Sequence, residues 1–395
     1  MTLVDVLLAA ASLPALAASA YLAGLAVLAR RTAPPAAAVP TLKYDVIVPA
    51  HNEEAEIAET VRSLRAVDYP ASLFRVLVVA DNCTDATAER AAAAGAQVLV
   101  RKNAEHRGKG YALAFAFERS RADGFADVVV VVDADTLVSA NLLAAFASRF
   151  AAGATVVQAD YGVRNRMASW RTRLMTIALA AFHGVRSIAR ERLGLSCGLR
   201  GNGMGFSSAV LAAHPPQAFS IVEDLEYGIH LGLAGIRVEY VHEARVVGYM
   251  AVTETASRSQ RRRWERGRQA LVRHLVPVLI RGAWQHRSAS LLDLAIDLLV
   301  PPIGTLALVA GAGLALSLLA AATFGATLAP WLWGATLVGL LLHIVRGWSI
   351  SGVGLRGLLD LLWAPVYVMW KLTLRFSDKG RTPEEWVRTK REVHP

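Results

Sequence analysis

The run Val128-Val129-Val130-Val131-Val132-Asp133-Ala134-Asp135 decides the fold. Five consecutive valines are typical of a strand that is buried on both faces of a sheet. Two carboxylates follow at once, and neighbouring carboxylates repel each other and are costly to remove from water. We therefore expect a cation beside Asp133 and Asp135. As an alternative, Asp135 could cap a helix that begins near Val138.

Strand and helix patterns alternate around this run. Strands are predicted at 44–50, 74–80, 96–100 and 127–133, and helices at 54–67, 86–94 and 110–120. Apolar strands separated by helices predict a mostly parallel sheet, which binds ligands at the carboxyl ends of its strands. Polar clusters follow three of these strands, so we expect them to share one edge: His51-Asn52-Glu53, Asp81-Asn82 and Asp133-Ala134-Asp135.

The composition predicts a membrane protein with a soluble middle. Hydrophobic residues make up 54% of the 395 residues, and they concentrate at the N-terminus and in the last quarter. The net charge of +10 is explained by arginines beside apolar segments, as at Arg30-Arg31, so no nucleic-acid partner is expected. The two cysteines, Cys83 and Cys197, indicate reduced thiols rather than a disulfide framework.

The apolar segments predict the domain organisation. Residues 3–29 are interpreted as a retained anchor rather than a signal peptide, because no basic region precedes them. The predicted parts are an anchor (1–31), a linker (32–43), a cytoplasmic catalytic domain (44–250), amphipathic interfacial helices (251–288), two transmembrane helices (289–348), an interfacial, re-entrant or third transmembrane segment (349–376) and a basic cytoplasmic tail (377–395).

Three further motifs allow both a structural and a chemical interpretation. Lys109 lies between glycines at a predicted helix start, where it could bind phosphate or remain solvated. Glu223 and Asp224 open another helix, where they could complement the helix dipole or supply a general base. The Gln260–Trp264 cluster could belong to a basic interfacial helix or contact a pyrophosphate and a sugar.

Together these residues resemble the membrane-bound family 2 glycosyltransferases, which include the cellulose, hyaluronan and chitin synthases and the chitooligosaccharide synthases of nodulation. Four motifs occur in the family's order: Pro49-Ala50-His51-Asn52-Glu53 for P-x-x-N-E, Asp133-Ala134-Asp135 for D-x-D, Val222-Glu223-Asp224 for T-E-D with Val in place of Thr, and Gln260-x-x-Arg263-Trp264 for Q-x-x-R-W. A C-terminal Trp386, Thr389 and Arg391 pattern resembles the gating segment of the synthases.

The resemblance implies a role for each matched residue. It implies nucleotide-sugar binding by His51, Glu53, Asp81, Lys109, Asp133, Ala134, Asp135 and Arg263, with the metal on Asp135. It implies that Asp224 is the base with Glu223 beside it, and that Gly201, Asn202, Gly203, Gln260 and Trp264 form the acceptor side.

The fold implied is an α/β GT-A-type domain with a mostly parallel central sheet, joined to N- and C-terminal transmembrane and interfacial helices. The reaction implied is inverting transfer of a hexose or N-acetylhexosamine from a UDP-sugar to a saccharide acceptor, with Mg²⁺ or Mn²⁺ as cofactor. The implied location is a bacterial-type inner membrane, in contact with its lipids. One alternative is a single transfer to a lipid or lipid-linked acceptor. Others are a non-catalytic nucleotide-binding membrane subunit and, less consistent with the sparse intramembrane charge, a transporter.

Overall fold

The computed structural model describes residues 2–216, 222–250 and 254–363, without the side chains of 254–266. The described residues divide into two compact units. A helical unit contains residues 2–31, 169–193 and 296–363, and a sheet-containing unit contains the rest. Residues 169–193 therefore belong to the helical unit, although the sequence pattern placed them within a continuous domain at 44–250.

The sheet-containing unit is built on eight strands in its described part. These are β1 (Tyr44–Ala50), β2 (Phe74–Asp81), β3 (Gln97–Arg101), β4 (Val128–Val131), β5 (Thr136–Val138), β6 (Val156–Val163), β7 (Met204–Ser207) and β8 (Val238–Gly248). They form one sheet in the order β3-β2-β1-β4-β7-β6-β8-β5.

Helices connect the strands and continue after them. In chain order they are α1 (Leu3–Leu28), α2 (Ile57–Arg65), α3 (Thr87–Ala93), α4 (Lys109–Asp123), α5 (Leu142–Ala151), α6 (Trp170–Leu179), α7 (Arg186–Arg192), α8 (Ser208–Ala213), α9 (Glu223–Leu233), α10 (Glu254–His286), α11 (Ala289–Leu299), α12 (Ile303–Phe324), α13 (Leu328–Ser351) and α14 (Gly354–Asp360). Short 3₁₀ turns lie at Ala71–Leu73 and Leu361–Trp363, and a π-helical segment at Ala180–Val185 joins α6 to α7.

The valine run forms the centre of the sheet. All four residues of β4 are buried, and β4 pairs in parallel with β1 and antiparallel with β7. The strands β3, β2, β1 and β4 are mutually parallel, and β6 is parallel to β8, which confirms the predicted mostly parallel sheet. Because parallel strands point their carboxyl ends to one edge, the polar clusters that follow β1, β2 and β4 are brought together there.

The chain after Asp135 enters a strand rather than a helix. Thr136–Val138 forms β5, which pairs antiparallel with the end of β8. The alternative in which Asp135 caps a helix near Val138 is therefore wrong. The physical reason is a long-range pairing, since Thr136 lies opposite Gly248 in the register.

The helical unit contains three helices that are long and apolar enough to cross a membrane: α1, α12 and α13. The first part of the segment predicted to form two transmembrane helices (289–348) is divided into α11 and α12. Pro301 and Pro302 lie between these two helices, and prolines lack the N–H that would continue a helix. The core of this unit includes Leu22, Leu306 and Trp333.

Small residues let α1 and α13 approach each other closely. A Cβ atom added at Gly339 would lie 2.7 Å from the Ser19 hydroxyl oxygen and 3.3 Å from its carbonyl oxygen. The same hydroxyl donates a 2.6 Å hydrogen bond to the carbonyl of Thr336. Small residues and interhelical hydrogen bonds are the usual means by which helices associate in lipid.

We expect Gly339→Ala to destabilise the helical unit by about 1–3 kcal/mol, because overpacking must separate α1 from α13 and strain the Ser19 hydrogen bond. Gly334→Ala is the matched control on the same helix, since a Cβ atom there meets no atom within 4 Å. Removing an unneeded glycine should stabilise the control slightly. Melting temperatures in detergent test both, and equal effects of the two variants would contradict the packing argument.

Candidate active site

One wall of the site is the sheet edge at which β1 and β2 end. Both strands turn sharply after their last residue, because Asn52 and Asn82 adopt positive φ values of 57° and 50°. The Asn52 side chain accepts a 2.8 Å hydrogen bond from the Thr84 amide, which ties the two turns together. The Nδ1 atom of His51 lies 2.7 Å from the Asp81 carbonyl oxygen. That oxygen can only accept, so Nδ1 carries the proton.

The Glu53 and Ala134 backbones are also held at this edge. The Glu53 amide donates to the Thr87 hydroxyl at 2.8 Å, and the Ala134 carbonyl accepts from the Thr60 hydroxyl at 2.8 Å. These contacts fix the segments after β1 and β4 before any ligand binds, and they place His51, Glu53 and Ala134 where the sequence predicted them.

Asp81 is fully buried at the end of β2, and only one of its carboxylate oxygens is satisfied. Oδ1 accepts from Arg101 Nη1 at 2.6 Å and from Asn82 Nδ2 at 3.1 Å. Oδ2 is buried and has no hydrogen-bond partner. Buried polar atoms are nearly always paired, so an unpaired carboxylate oxygen in this position indicates that a ligand supplies the donor.

The metal implied at Asp135 stays a prediction, but a cation already lies beside Asp133, and that cation is Lys109. Its ammonium donates to Asp133 Oδ1 at 2.6 Å and to the Gly201 carbonyl at 2.7 Å. Lys109 is the first residue of α4 and follows Gly108, whose φ of 134° is open to glycine alone. The structure therefore joins the end of β4, the start of α4 and the loop before β7 through one ammonium.

The loop before β7 closes over Asp224. Gly201 has a φ of 79°, and a Cβ atom added there would lie 3.0 Å from Asp224 Oδ2. Asn202 accepts from the Asp133 amide at 3.1 Å and donates to the Thr136 hydroxyl at 2.8 Å. Gly203 is equally constrained, because a Cβ atom there would lie 2.8 Å from Val246. The predicted residues 201–203 and Asp224 thus meet in one place.

Burial and charge change the protonation of this cluster. Burial raises the pKa of Glu223 to about 7, although the nearby Lys109 ammonium opposes the shift. Burial likewise raises the pKa of Asp224. Burial would lower the pKa of Lys109, but the carboxylates of Asp133, Glu223 and Asp224 outweigh it, so the pKa lies above its usual value. The lysine stays charged, and a proton can be held among the carboxylates near neutral pH.

Two residues of the site were missed by the sequence argument. The Gln158 side chain is buried in β6, where it donates to the Asn202 carbonyl at 2.7 Å and accepts from the Arg200 amide at 2.8 Å. Arg101 ends β3 and holds Asp81. No local sequence signal identifies Arg101, because only the register of β2 and β3 sets it opposite Asp81.

The acidic residues at the end of β4 fit a divalent cation shared with a phosphate. Among the described residues, no three His, Cys, Asp or Glu side chains are arranged to hold a metal. Mg²⁺ needs no such set, because it binds through one or two carboxylates together with substrate phosphates. Among the described residues, the carboxylates of Asp133, Glu223 and Asp224 outnumber the cations that act on them, which are Lys109 and, at Asp224, Arg200.

Some predicted residues are not described by the structure. Gln260, Arg263 and Trp264 lie in α10, but their side chains belong to the undescribed set. Trp386, Thr389 and Arg391 lie outside the described residues. Their roles stay predictions.

The comparison with known families decides the relationship. The model of the family described as "Glycosyltransferase like family 2" matches residues 40–267, which include the whole edge described above. The chain belongs to glycosyltransferase family 2.

Two curated members of the family show how far the likeness extends. Hyaluronan synthase of Streptococcus pyogenes is 32% identical over 162 residues, or 38% of this chain and 37% of that protein. Beta-monoglucosyldiacylglycerol synthase of Synechocystis sp. is 30% identical over 241 residues, or 59% of this chain and 49% of that protein. The matched region thus spans less than half the length of either relative.

A solved structure supports the fold over nearly the whole chain. The mannosyltransferase PcManGT of Pyrobaculum calidifontis, in complex with GDP-Man and Mn²⁺, matches with a TM-score of 0.57. The match covers 93% of this chain and 98% of that one at 21% identity. The predicted combination of a GT-A domain with apolar helices at both ends is confirmed.

We expect the raised pKa of Glu223 to make stability depend on pH. The folded protein holds this proton up to about pH 7, whereas an ordinary glutamate titrates near 4.5. The stabilisation is therefore complete below pH 4.5 and is lost as the pH rises to about 7. Glu223→Gln should remove the loss of stability that Glu223 causes as the pH rises to about 7. Melting temperatures between pH 4.5 and 8 measure this. Parallel wild-type and variant curves would contradict the assignment.

Proposed function

We propose that the chain is an inverting glycosyltransferase that moves a hexose or N-acetylhexosamine from a UDP-sugar to a saccharide acceptor with β linkage. The main support is the convergence of a half-buried carboxylate with a raised pKa, Asp224, on the Lys109–Asp133 pair. A general base, a phosphate-binding cation and an acidic strand end lie together at the ligand-binding edge of the sheet.

In the proposed reaction, the acceptor hydroxyl attacks the anomeric carbon of the donor from the face opposite the nucleotide. The new bond between oxygen and carbon forms as the bond from that carbon to the diphosphate breaks. The hydroxyl proton passes to Asp224, and UDP leaves with the electron pair. Burial suits Asp224 to this task, because a raised pKa makes its carboxylate a better proton acceptor.

Lys109 and the 201–203 loop have the positioning roles. The Gly201 carbonyl accepts from the lysine, which keeps the loop beside Asp224 and leaves no space for a side chain at Gly201. Lys109 also keeps its charge, so it can stabilise the negative charge that develops on the leaving diphosphate. We assign further contacts to the diphosphate to Arg263 and to the acceptor sugar to Trp264 and Gln260, on the family motif.

Asp135 would hold Mg²⁺ or Mn²⁺ together with the diphosphate, and the metal would supply charge neutralisation for the leaving group. Asp133 has another task, because Lys109 already occupies its Oδ1 atom. We place Asp133 against the nucleotide or the donor sugar. The Asp135 carboxylate lies beside Thr136, whose hydroxyl is 3.4 Å from Oδ1.

A second function, a single transfer to a lipid or lipid-linked acceptor, is favoured by one specific observation. The described residues contain three helices that could cross a membrane, which are few to enclose a channel for a growing polymer. The similarity to a synthase whose name specifies a glycolipid, beta-monoglucosyldiacylglycerol synthase, agrees with it. We place either reaction at the cytoplasmic face of a bacterial-type inner membrane, where nucleotide sugars are made.

Asp224→Asn should abolish transfer and leave UDP binding within about threefold of wild type, because the amide keeps the size of the side chain but cannot accept the proton. The full chain in detergent is given a panel of UDP-sugars with saccharide and diacylglycerol acceptors, and UDP release and product mass are measured. Near-normal turnover by the variant would exclude Asp224 as the base. No turnover by wild type with any pair would contradict the proposed function.

Asp135→Ala should lose the metal-dependent part of UDP binding. Asp127→Asn is the matched control, because Asp127 precedes the same strand at its opposite end, where its carboxylate accepts from the Lys43 amide. Calorimetric titration of UDP with Mn²⁺ and with chelator compares the variants. Equal UDP affinities of the Asp135 variant and wild type under both conditions would exclude Asp135 as the ligand.

A further inference from the structure

The sheet contains two buried aspartate–arginine pairs that are built alike. Asp45 on β1 lies opposite Arg75 on β2, and Asp81 on β2 lies opposite Arg101 on β3. Both aspartates are fully buried, and the arginines are 19% and 11% exposed. The first pair is at the amino ends of its strands and the second at the carboxyl ends, so only the second is at the ligand-binding edge.

The two pairs differ in how many carboxylate oxygens remain without a hydrogen-bond donor. Asp45 uses both oxygens, since Oδ1 accepts from Arg75 Nε at 2.8 Å and Oδ2 accepts from Arg75 Nη2 at 2.8 Å and from Ser120 at 2.6 Å. In Asp81, Arg101 approaches Oδ1 through Nη1, and Oδ2 stays buried without a partner. The Asp45 pair is complete by itself, whereas the Asp81 pair presents one acceptor.

We propose that Arg101 is a specificity-determining residue that makes the site select uracil over guanine. The proposal rests on the proposed function and on the nucleotide-sugar-binding role that the family resemblance implies for Asp81, which we take to be a contact with the base. Arg101 and Asn82 together occupy Oδ1 and leave Oδ2 as the single acceptor. Arg101 thereby limits to one the number of base N–H groups from which Asp81 can accept a hydrogen bond.

The base edges differ in a way that a single acceptor can distinguish. Uracil presents one N–H, at N3, between two carbonyls, and so matches one free carboxylate oxygen. Guanine presents N1–H and the N2 amino group side by side, which suits a carboxylate with both oxygens free. With Oδ1 occupied, one guanine donor would be buried without a partner, and such an atom is costly. Cytosine has no proton on N3 and would direct a lone pair at the carboxylate.

Other contacts hold the Arg101 guanidinium in place, so it keeps its hydrogen bond to Asp81 Oδ1. Its Nη2 atom donates to the His106 carbonyl at 2.8 Å, and its guanidinium lies 6.0 Å from the centre of the Tyr111 ring. The Asn103 amide donates to Asn82 in the neighbouring turn at 2.9 Å. These contacts hold the 102–108 loop, which leads into Lys109, against the segment that carries Asp81.

The test measures the affinities of the full chain in detergent for UDP, GDP and CDP with Mn²⁺ by calorimetry. Wild type should prefer UDP over GDP by at least about tenfold, the effect of one lost hydrogen bond in a buried site. Arg101→Met keeps the aliphatic stem and leaves Oδ1 with only the 3.1 Å hydrogen bond from Asn82, so that Oδ1 can accept a further donor. It should weaken UDP binding and reduce the UDP preference over GDP by about fivefold or more. Arg101→Lys keeps a donor for Oδ1 and should preserve the preference.

Arg75→Met is the matched control, because it removes the arginine of the complete pair at the other end of the strands. It should lower the melting temperature and leave the UDP-to-GDP ratio unchanged. An Arg101→Met protein that loses UDP and GDP affinity equally would overturn the proposal and reduce Arg101 to a structural role. If that variant does not fold, a changed ratio in Arg101→Lys would overturn it instead. Wild type that binds no nucleotide would contradict the proposed function itself.

Discussion

The Lys109 ammonium is the contact on which the site depends. It joins Asp133, which is 24 residues away in sequence, to the Gly201 carbonyl, which is 92 residues away. Asp224 lies against the same glycine. Without a cation at this point, half-buried carboxylates from two separate elements would repel each other where the effective dielectric is lower than in water. The lysine thus allows a parallel sheet to end in acidic residues and still close a loop over them.

The directions of the strands explain why the acidic residues and the 201–203 loop meet beside Lys109. Parallel strands carry their following residues to one edge, so Asp81 and Asp133 come from different βα units to the same side. The antiparallel strand β7 then enters beside β4 and brings the 201–203 loop to that edge from the opposite direction. The arrangement needs both strand directions, which is why a purely alternating βα pattern describes only half of the site.

The sequence predicted the elements that depend on local pattern and missed those that depend on distant pairing. The strands β1 to β4, the helix that begins at Lys109 and the helix that begins at Glu223 follow from apolar runs and glycine positions. The strand after Asp135 does not, because it forms only by pairing with β8, more than a hundred residues later. Arg101 was missed for the same reason, since only the strand register sets it opposite Asp81.

The helical unit also contains long-range contacts that the local sequence does not predict. The sequence of residues 169–193 is rich in arginine, but nothing local indicates which segments these arginines contact. Arg186 and Arg190 are buried, and both contact Asp297 on α11, at 2.7 Å and 2.9 Å. Arg190 also donates to the Tyr21 hydroxyl on α1 at 2.6 Å. Buried arginines need such partners, so these contacts account for residues 169–193 packing with the helices of both chain ends.

The charges at the sheet edge also constrain how a nucleotide could enter. Among the described residues, Asp133, Glu223 and Asp224 are opposed by Lys109 and by Arg200, so a bare diphosphate would approach a region where carboxylates outnumber cations. A diphosphate that carries its own divalent cation brings less negative charge and can be held by few protein carboxylates. The scarcity of metal ligands among the described side chains and the excess of acidic charge are therefore consistent with each other. A site of this composition suits a metal that is shared with its substrate, and the proton that Glu223 can hold near pH 7 would balance part of the charge until the substrate binds.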